Sequence, residues 1–183
     1  MMPLAPQGEA ARCTIQPMDV TEALLESWDR QRGIVKAVAS RVDESNRNVK
    51  PSEDGWPLDY QLAHIHNTRR FWLSQVAPEH GAALERATQD DKPLPDLNAI
   101  KALLEQSGKA VREAVHELLE KGIEKVASQN VTYDHPVMFL QHMVWHEGWH
   151  VALIFLGLRL AGQEPPEEWE DEKVWGAWRT EEW

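Results

Sequence analysis

Apolar positions recur at helical spacing in four stretches of the chain, and nowhere do they alternate for long enough to build a sheet. In the first stretch Val20, Leu24, Trp28, Val35, Val38 and Val42 fall on one face at steps of three, four or seven. Asp19 followed by Glu22 is a capping-box pattern, which predicts a helix from there to about Val42. Asn46 to Pro57, rich in Asn, Pro, Gly and charge, predicts a loop. Leu58, Leu62, Ile65, Trp72 and Val76 then mark a second helix that ends before Pro78. Residues 77–95 carry Gly81, Pro93 and Pro95 and predict a long connection with at most one short helical turn.

Ile100, Leu103, Leu104, Val111, Val115, Leu118 and Leu119 predict a third helix from Leu97 to about Glu124, frayed at Gly122. Ser128 to Thr132 reads as an extended piece too brief to seed a sheet. The fourth helix has Asp134 as its expected cap, Pro136 in its first turn and Gly162 as its terminator. It would be about 40 Å long. It is apolar on most sides, the pattern of a helix buried among several neighbours. Four amphipathic helices with few strand signals predict an all-α protein, a four-helix bundle.

Length and charge narrow this picture. The 183 residues suit one domain. Residues 1–17 are Pro-rich and aperiodic, a loose N-terminal arm, and 18–183 form the single domain. Cys13 stands alone, so an intramolecular disulfide is excluded and a reducing, cytoplasmic setting is expected. Met1 to Thr14 lacks the apolar core of a signal peptide, and the longest apolar run, Val151 to Leu158, is about half of the roughly 18 residues a span requires. A net charge of −11, with Arg69-Arg70 as the one basic pair, argues against nucleic acid and against an anionic membrane surface. Gln163 to Trp183 holds eight carboxylates but also four of the nine tryptophans, so this Trp-rich tail is expected to pack on the body.

The chemistry concentrates on the fourth helix. His146 and His150 are one turn apart on one face, with His142 a turn earlier, and two imidazoles so placed can reach one ion at a Zn–N distance of about 2.0–2.1 Å. The same spacing also admits a plain reading, core or rim histidines with ordinary hydrogen bonds. For a third ligand His64 follows the apolar stripe of the second helix. His66 lies about 200° round that helix and is expected to face elsewhere. His80, His116 and His135 are expected in solvent.

Leu62-Ala63-His64-Ile65-His66-Asn67-Thr68-Arg69-Arg70-Phe71-Trp72-Leu73 and, far downstream, His142-Met143-Val144-Trp145-His146-Glu147-Gly148-Trp149-His150 resemble the DinB/YfiT-like family of metalloenzymes. Gly162 to Pro166 and Val174-Trp175-Gly176-Ala177-Trp178 resemble that family's ending, so the likeness runs over roughly residues 20–180. It implies a histidine of the second helix and a His-x-x-x-His pair of the last bundle helix as ligands, here His64, His146 and His150. It also implies a homodimer, and a small-molecule reaction as a thiol S-transferase, a hydrolase or an isomerase. One departure touches the mouth of the site: relatives often carry a further histidine and an Arg-Gly-Gln run near the last ligand, where this chain has Trp149 and Val151-Ala152-Leu153.

Three imidazoles leave the ion open among Zn, Ni, Fe and Mn. With an open position it would draw the pKa of a bound water toward about 7 or hold a thiol as thiolate. The expectation is a metal-dependent transferase or hydrolase acting on a small molecule, set against a non-catalytic binding domain. Trp72, Trp145, Trp149, Trp175 and Trp178 are candidates either for core or for lining the site. Asn67 and Arg70 are candidates for ligand contact or for surface.

His146-Glu147-Gly148-Trp149-His150 also fits the zinc-peptidase pattern His-Glu-x-x-His, with Glu147 as base and Glu167 or Glu168 as third ligand. The missing sheet speaks against it, as do the five residues available to turn Glu167 back. Glu147 leaves the helix about 100° from His146. It is expected to hydrogen-bond a ligand imidazole or to pair at the surface.

Overall fold

The computed structural model describes residues 19–179, so the expected arm over 1–17 lies outside the described residues. Four long helices carry the fold: α1 (Val20–Ser40), α2 (Leu58–Val76), α4 (Leu97–Glu120) and α5 (Pro136–Leu160). A short α3 (Pro78–Ala82) follows α2, and α6 (Glu167–Glu170) runs into a π-helical turn at Asp171–Trp175. Asp19 caps α1, its Oδ1 accepting from the Thr21 and Glu22 amides at 2.8 and 3.4 Å. Val20, expected on the buried stripe, is instead exposed at this first turn. The cap of α5 is His135 rather than Asp134, with His135 Nδ1 accepting from the Val137 amide. Gly162, at φ +67°, ends α5 in a Schellman motif: its amide bonds Arg159 O and the Gln163 amide bonds Leu158 O.

The connections hold more structure than the sequence predicts. Between α2 and α4, α3 is followed by a hairpin of β1 (Thr88–Gln89) and β2 (Lys92–Pro93), turned by Asp90 and Asp91 at positive φ. Between α4 and α5, β3 (Val126–Ala127) pairs antiparallel with β4 (Thr132–Tyr133). All four strands among the described residues are two residues long, so the protein is all-α in class.

α2 packs on α4 and α5, and α1 packs on the same two helices, so the consecutive helices α1 and α2 occupy diagonal corners. A polar layer crosses the middle. The Arg69 Nε donates to Glu147 at 2.6 Å, Arg69 Nη1 donates to Leu104 O at 2.7 Å, and Gln31 reaches Glu147 at 3.4 Å. The guanidinium also lies 5.3 Å over the Trp28 ring. On one side of this layer the core is built from Leu58, Leu62, Ile100 and Ile154, and on the other from Leu73, Val111, Phe139 and Leu140.

The tail packs back as expected. Val174 is buried in the core, Arg30 donates to Ala177 O at 2.9 Å, and Trp169 meets Phe155 edge to face and lies under Arg41. In contrast, α5 is not enclosed on all sides. Met138, Trp145, Trp149, Leu156 and Leu160 form an exposed apolar stripe along it, with Trp145 73% and Trp149 60% exposed. Among the described residues no helix is long and apolar enough to cross a membrane.

Candidate metal centre

The groove between α2 and α5 brings three imidazoles to one point. His64 Nε2 lies 3.2 Å from His146 Nε2, which lies 3.2 Å from His150 Nε2. The ligand atoms of all three are within 4.8 Å of one another. Three nitrogens at a Zn–N distance of about 2.0–2.1 Å around a tetrahedral ion would be about 3.3–3.4 Å apart. The observed spacing is close to that edge.

Helical register accounts for the convergence. His146 and His150 stack one turn apart on α5, and Gln61, His64 and Thr68 share a face of α2 at spacings of three and four. Gln61 is buried and fixes the tautomer of His150. The Gln61 amide NH2 donates to Trp56 O at 3.1 Å, which turns its oxygen toward His150 Nδ1 at 2.5 Å. His150 Nδ1 is therefore the protonated nitrogen and Nε2 carries the free lone pair that a metal needs. Thr68 Oγ1 lies 3.3 Å from His64 Nε2.

Burial and mutual repulsion keep the rings neutral. Desolvation, then the neighbouring imidazoles, lower His150 to about 3. Desolvation, then His64 and His142, lower His146 to about 4. Burial lowers His64 in the same direction. Three neutral imidazoles aimed at one another at van der Waals range are a donor set that fits a divalent transition-metal ion.

Trp56, from the loop before α2, covers one end of the groove. Its ring lies 4.7 Å from His64 and stacks parallel to His150 at 6.5 Å. At the other end the Tyr133 hydroxyl and His142 Nδ1 are 2.8 Å apart, and Trp72 meets both rings edge-on. The tail does not roof the site: Trp175 and Trp178 line a separate cavity of about 420 Å³ against Val151, Ala152 and Phe155, on the opposite face of α5. Trp145 and Trp149 point outward and line neither core nor site.

Several sequence expectations change here. His66 is fully enclosed, its Nδ1 2.8 Å from Leu103 O and its Nε2 2.8 Å from Glu85 O. It turns away from His64 as expected, but α2 has α4 on that side, so the opposite face is also interior. Glu147 touches neither imidazole nor surface; it is fully buried against Arg69. That leaves the peptidase reading without its base, and Glu167 and Glu168 are exposed on α6. Asn67 and Arg70 pin the segment after α3: Asn67 accepts from the Ala87 amide and donates to Thr88, and Arg70 donates to Leu84 O. His80 is half-buried and bonds Glu117 at 2.9 Å. Glu79, His80 and Glu117 also lie close together, but Glu117 is already engaged by Lys121 and His80.

Sequence reasoning missed Trp56, Gln61 and Thr68. The last two were legible from their spacing to His64. Trp56 was not, because a loop tryptophan has no register.

No curated protein and no solved structure matches the chain. A family model described as DinB family matches residues 18–180, almost the whole length, and the chain belongs to the DinB family.

Proposed function

We propose that His64, His146 and His150 hold a divalent transition-metal ion and that the chain is a metal-dependent transferase acting on a small molecule through a thiol. The convergence of three neutral Nε2 atoms at 3.2 Å spacing carries this reading. The ion, when bound, supplies a Lewis acid that holds a thiol in its nucleophilic thiolate form at neutral pH. An all-imidazole set brings no negative charge, so the fourth position favours an anion. Among the described residues no carboxylate joins the three rings as a general base, since Glu147 is committed to Arg69. That favours a nucleophile ionised by the ion itself and ranks thiol transfer above hydrolysis.

The residues around the site have separable tasks. Gln61 holds His150 in the tautomer that binds. Trp56 shields the His64 and His150 rings from water and offers an apolar wall for the carbon frame of the thiol. Tyr133 and His142, at the far end of the groove, offer a hydroxyl and an imidazole to the acceptor molecule. The homodimer implied by the family would use the exposed stripe of α5, an apolar patch of the kind that marks association surfaces.

Cobalt-substituted protein titrated with low-molecular-weight thiols tests the reading. A sulfur-to-cobalt charge-transfer band, with turnover against electrophilic acceptors, is the expected result. Fully loaded protein that gives neither band nor turnover would overturn it.

A further inference from the structure

The groove between α1 and α4 lies across the bundle from the histidines and contains a cavity of about 350 Å³. Four cationic side chains line it, Arg32, Lys36, Arg69 and Lys101, against one carboxylate, Glu105. Lys36 pairs with Glu105 at 3.3 Å and Lys101 donates to Val42 O at 2.8 Å, so the two guanidinium groups are what the groove offers a ligand. The rest of the lining is largely apolar, with Val35, Ala39 and Leu104.

Two of the guanidinium groups bring unused donors. Arg32 Nε and Arg69 Nη2 are buried and have no hydrogen-bond partner among the described residues. Buried donors are almost always paired, so two in one groove call for an acceptor. Arg69 is 2% exposed and held rigidly, its Nε on Glu147 and its Nη1 on Leu104 O. Its backbone belongs to α2, behind the groove, so the end of the side chain is what reaches the cavity floor. Arg32 is held by Asp29, which also binds Arg112. Gly108 makes room for both: a Cβ there would lie 2.9 Å from Arg32 Nε and 3.1 Å from Arg69 Nη1.

We propose that this groove binds a small amphipathic carboxylate, its head on Arg32 and Arg69 and its apolar body along Val35, Ala39 and Leu104. Planar guanidinium donors match a carboxylate well, and the volume falls in the range of small-molecule sites. The apolar walls disfavour a free inorganic anion. The site is separate from the histidines and does not depend on the metal.

Calorimetric titration of the full chain with sodium octanoate at low ionic strength tests the proposal, with 1-octanol and inorganic phosphate as comparisons. Saturable one-site binding of octanoate is expected, at least tenfold tighter than either comparison and weakened by added salt. Arg32→Gln should weaken it about tenfold or more, and Ala102→Trp, at the exposed rim, should block it while circular dichroism stays unchanged. His146→Ala should leave it intact, which separates this site from a carboxylate bound to the metal. Absence of saturable binding would overturn the proposal. So would phosphate binding as tightly as octanoate, loss of binding in His146→Ala, or indifference to both groove substitutions.

Discussion

Arg69 and Glu147 meet at 2.6 Å in the middle of the bundle, both fully enclosed, the one from α2 and the other from α5. The pair joins the two helices that supply the histidines. Removing one partner leaves the other as an uncompensated buried charge, at a cost of about 3–5 kcal/mol. Glu147→Ala is therefore expected to lower unfolding stability by that amount in urea titrations. Glu147→Gln, which keeps the shape and one acceptor, is expected to bind metal stoichiometrically when folded. Loss of metal from a folded Glu147→Gln protein would place this carboxylate in the site after all.

The two neighbouring histidines of α2 should separate cleanly by assay. His64→Ala and His146→Ala are expected to abolish metal retention, measured by elemental analysis after gel filtration, with little effect on the metal-free fold. His66→Ala removes a buried ring that donates to one of the carbonyls Leu103 O and Glu85 O, and leaves a cavity. It is expected to destabilise by about 2–4 kcal/mol while retaining metal. Equal metal loss from His66→Ala and His146→Ala would contradict the assignment.

Gln61 would act on the proposed metal site through His150. Gln61→Met keeps the bulk and removes the acceptor that fixes the ring. The expected result is a fall in metal affinity of about ten- to a hundredfold in competition with a chromophoric chelator, with melting of the metal-free protein nearly unchanged.

The depressed histidines give a pH signature to the metal-free protein. His146 and His150 titrate at about 4 and about 3 when folded, against about 6.5 when unfolded. Above pH 6.5 both states are neutral and stability is at its full value. As pH falls from there toward 4 and 3, the unfolded chain takes up protons that the folded chain refuses, and stability is lost. Melting temperature in the presence of chelator is expected to drop across that window, and more shallowly in His146→Asn. Added metal should raise the melting temperature most near neutral pH and progressively less in acid, since protons compete for the same lone pairs. Identical pH slopes for the two proteins would remove these imidazoles as the cause.

The long helices and their faces were legible because burial imposes a 3.6-residue period, and the spacing of His146 and His150 was legible for the same reason. Orientation was harder where a helix has neighbours on two sides. For His66 and Glu147 the angular argument correctly said that they leave the ligand face, but solvent is not the only alternative to that face when α4 or α1 lies behind it. The apolar character of α5 predicts enclosure, yet Trp145 and Trp149 stand in the open. Periodicity reports which positions are apolar, not what covers them. The hairpin at Thr88–Pro93 escaped notice because its turn uses Asp90-Asp91 rather than a glycine.

Trp56 and Gln61 tie the loop before α2 to the tautomer of His150. While the Trp56 carbonyl holds the amide NH2, the amide oxygen faces His150. Were the loop to swing away, that amide would be free to rotate by half a turn and present its NH2 to the same ring nitrogen. The imidazole proton would then move across the ring, and the atom aimed at the ion would become a donor with no lone pair. Loop position and the lone pair that His150 offers are thus tied through one rotatable bond, so displacing this tryptophan would weaken the proposed metal site without touching a ligand.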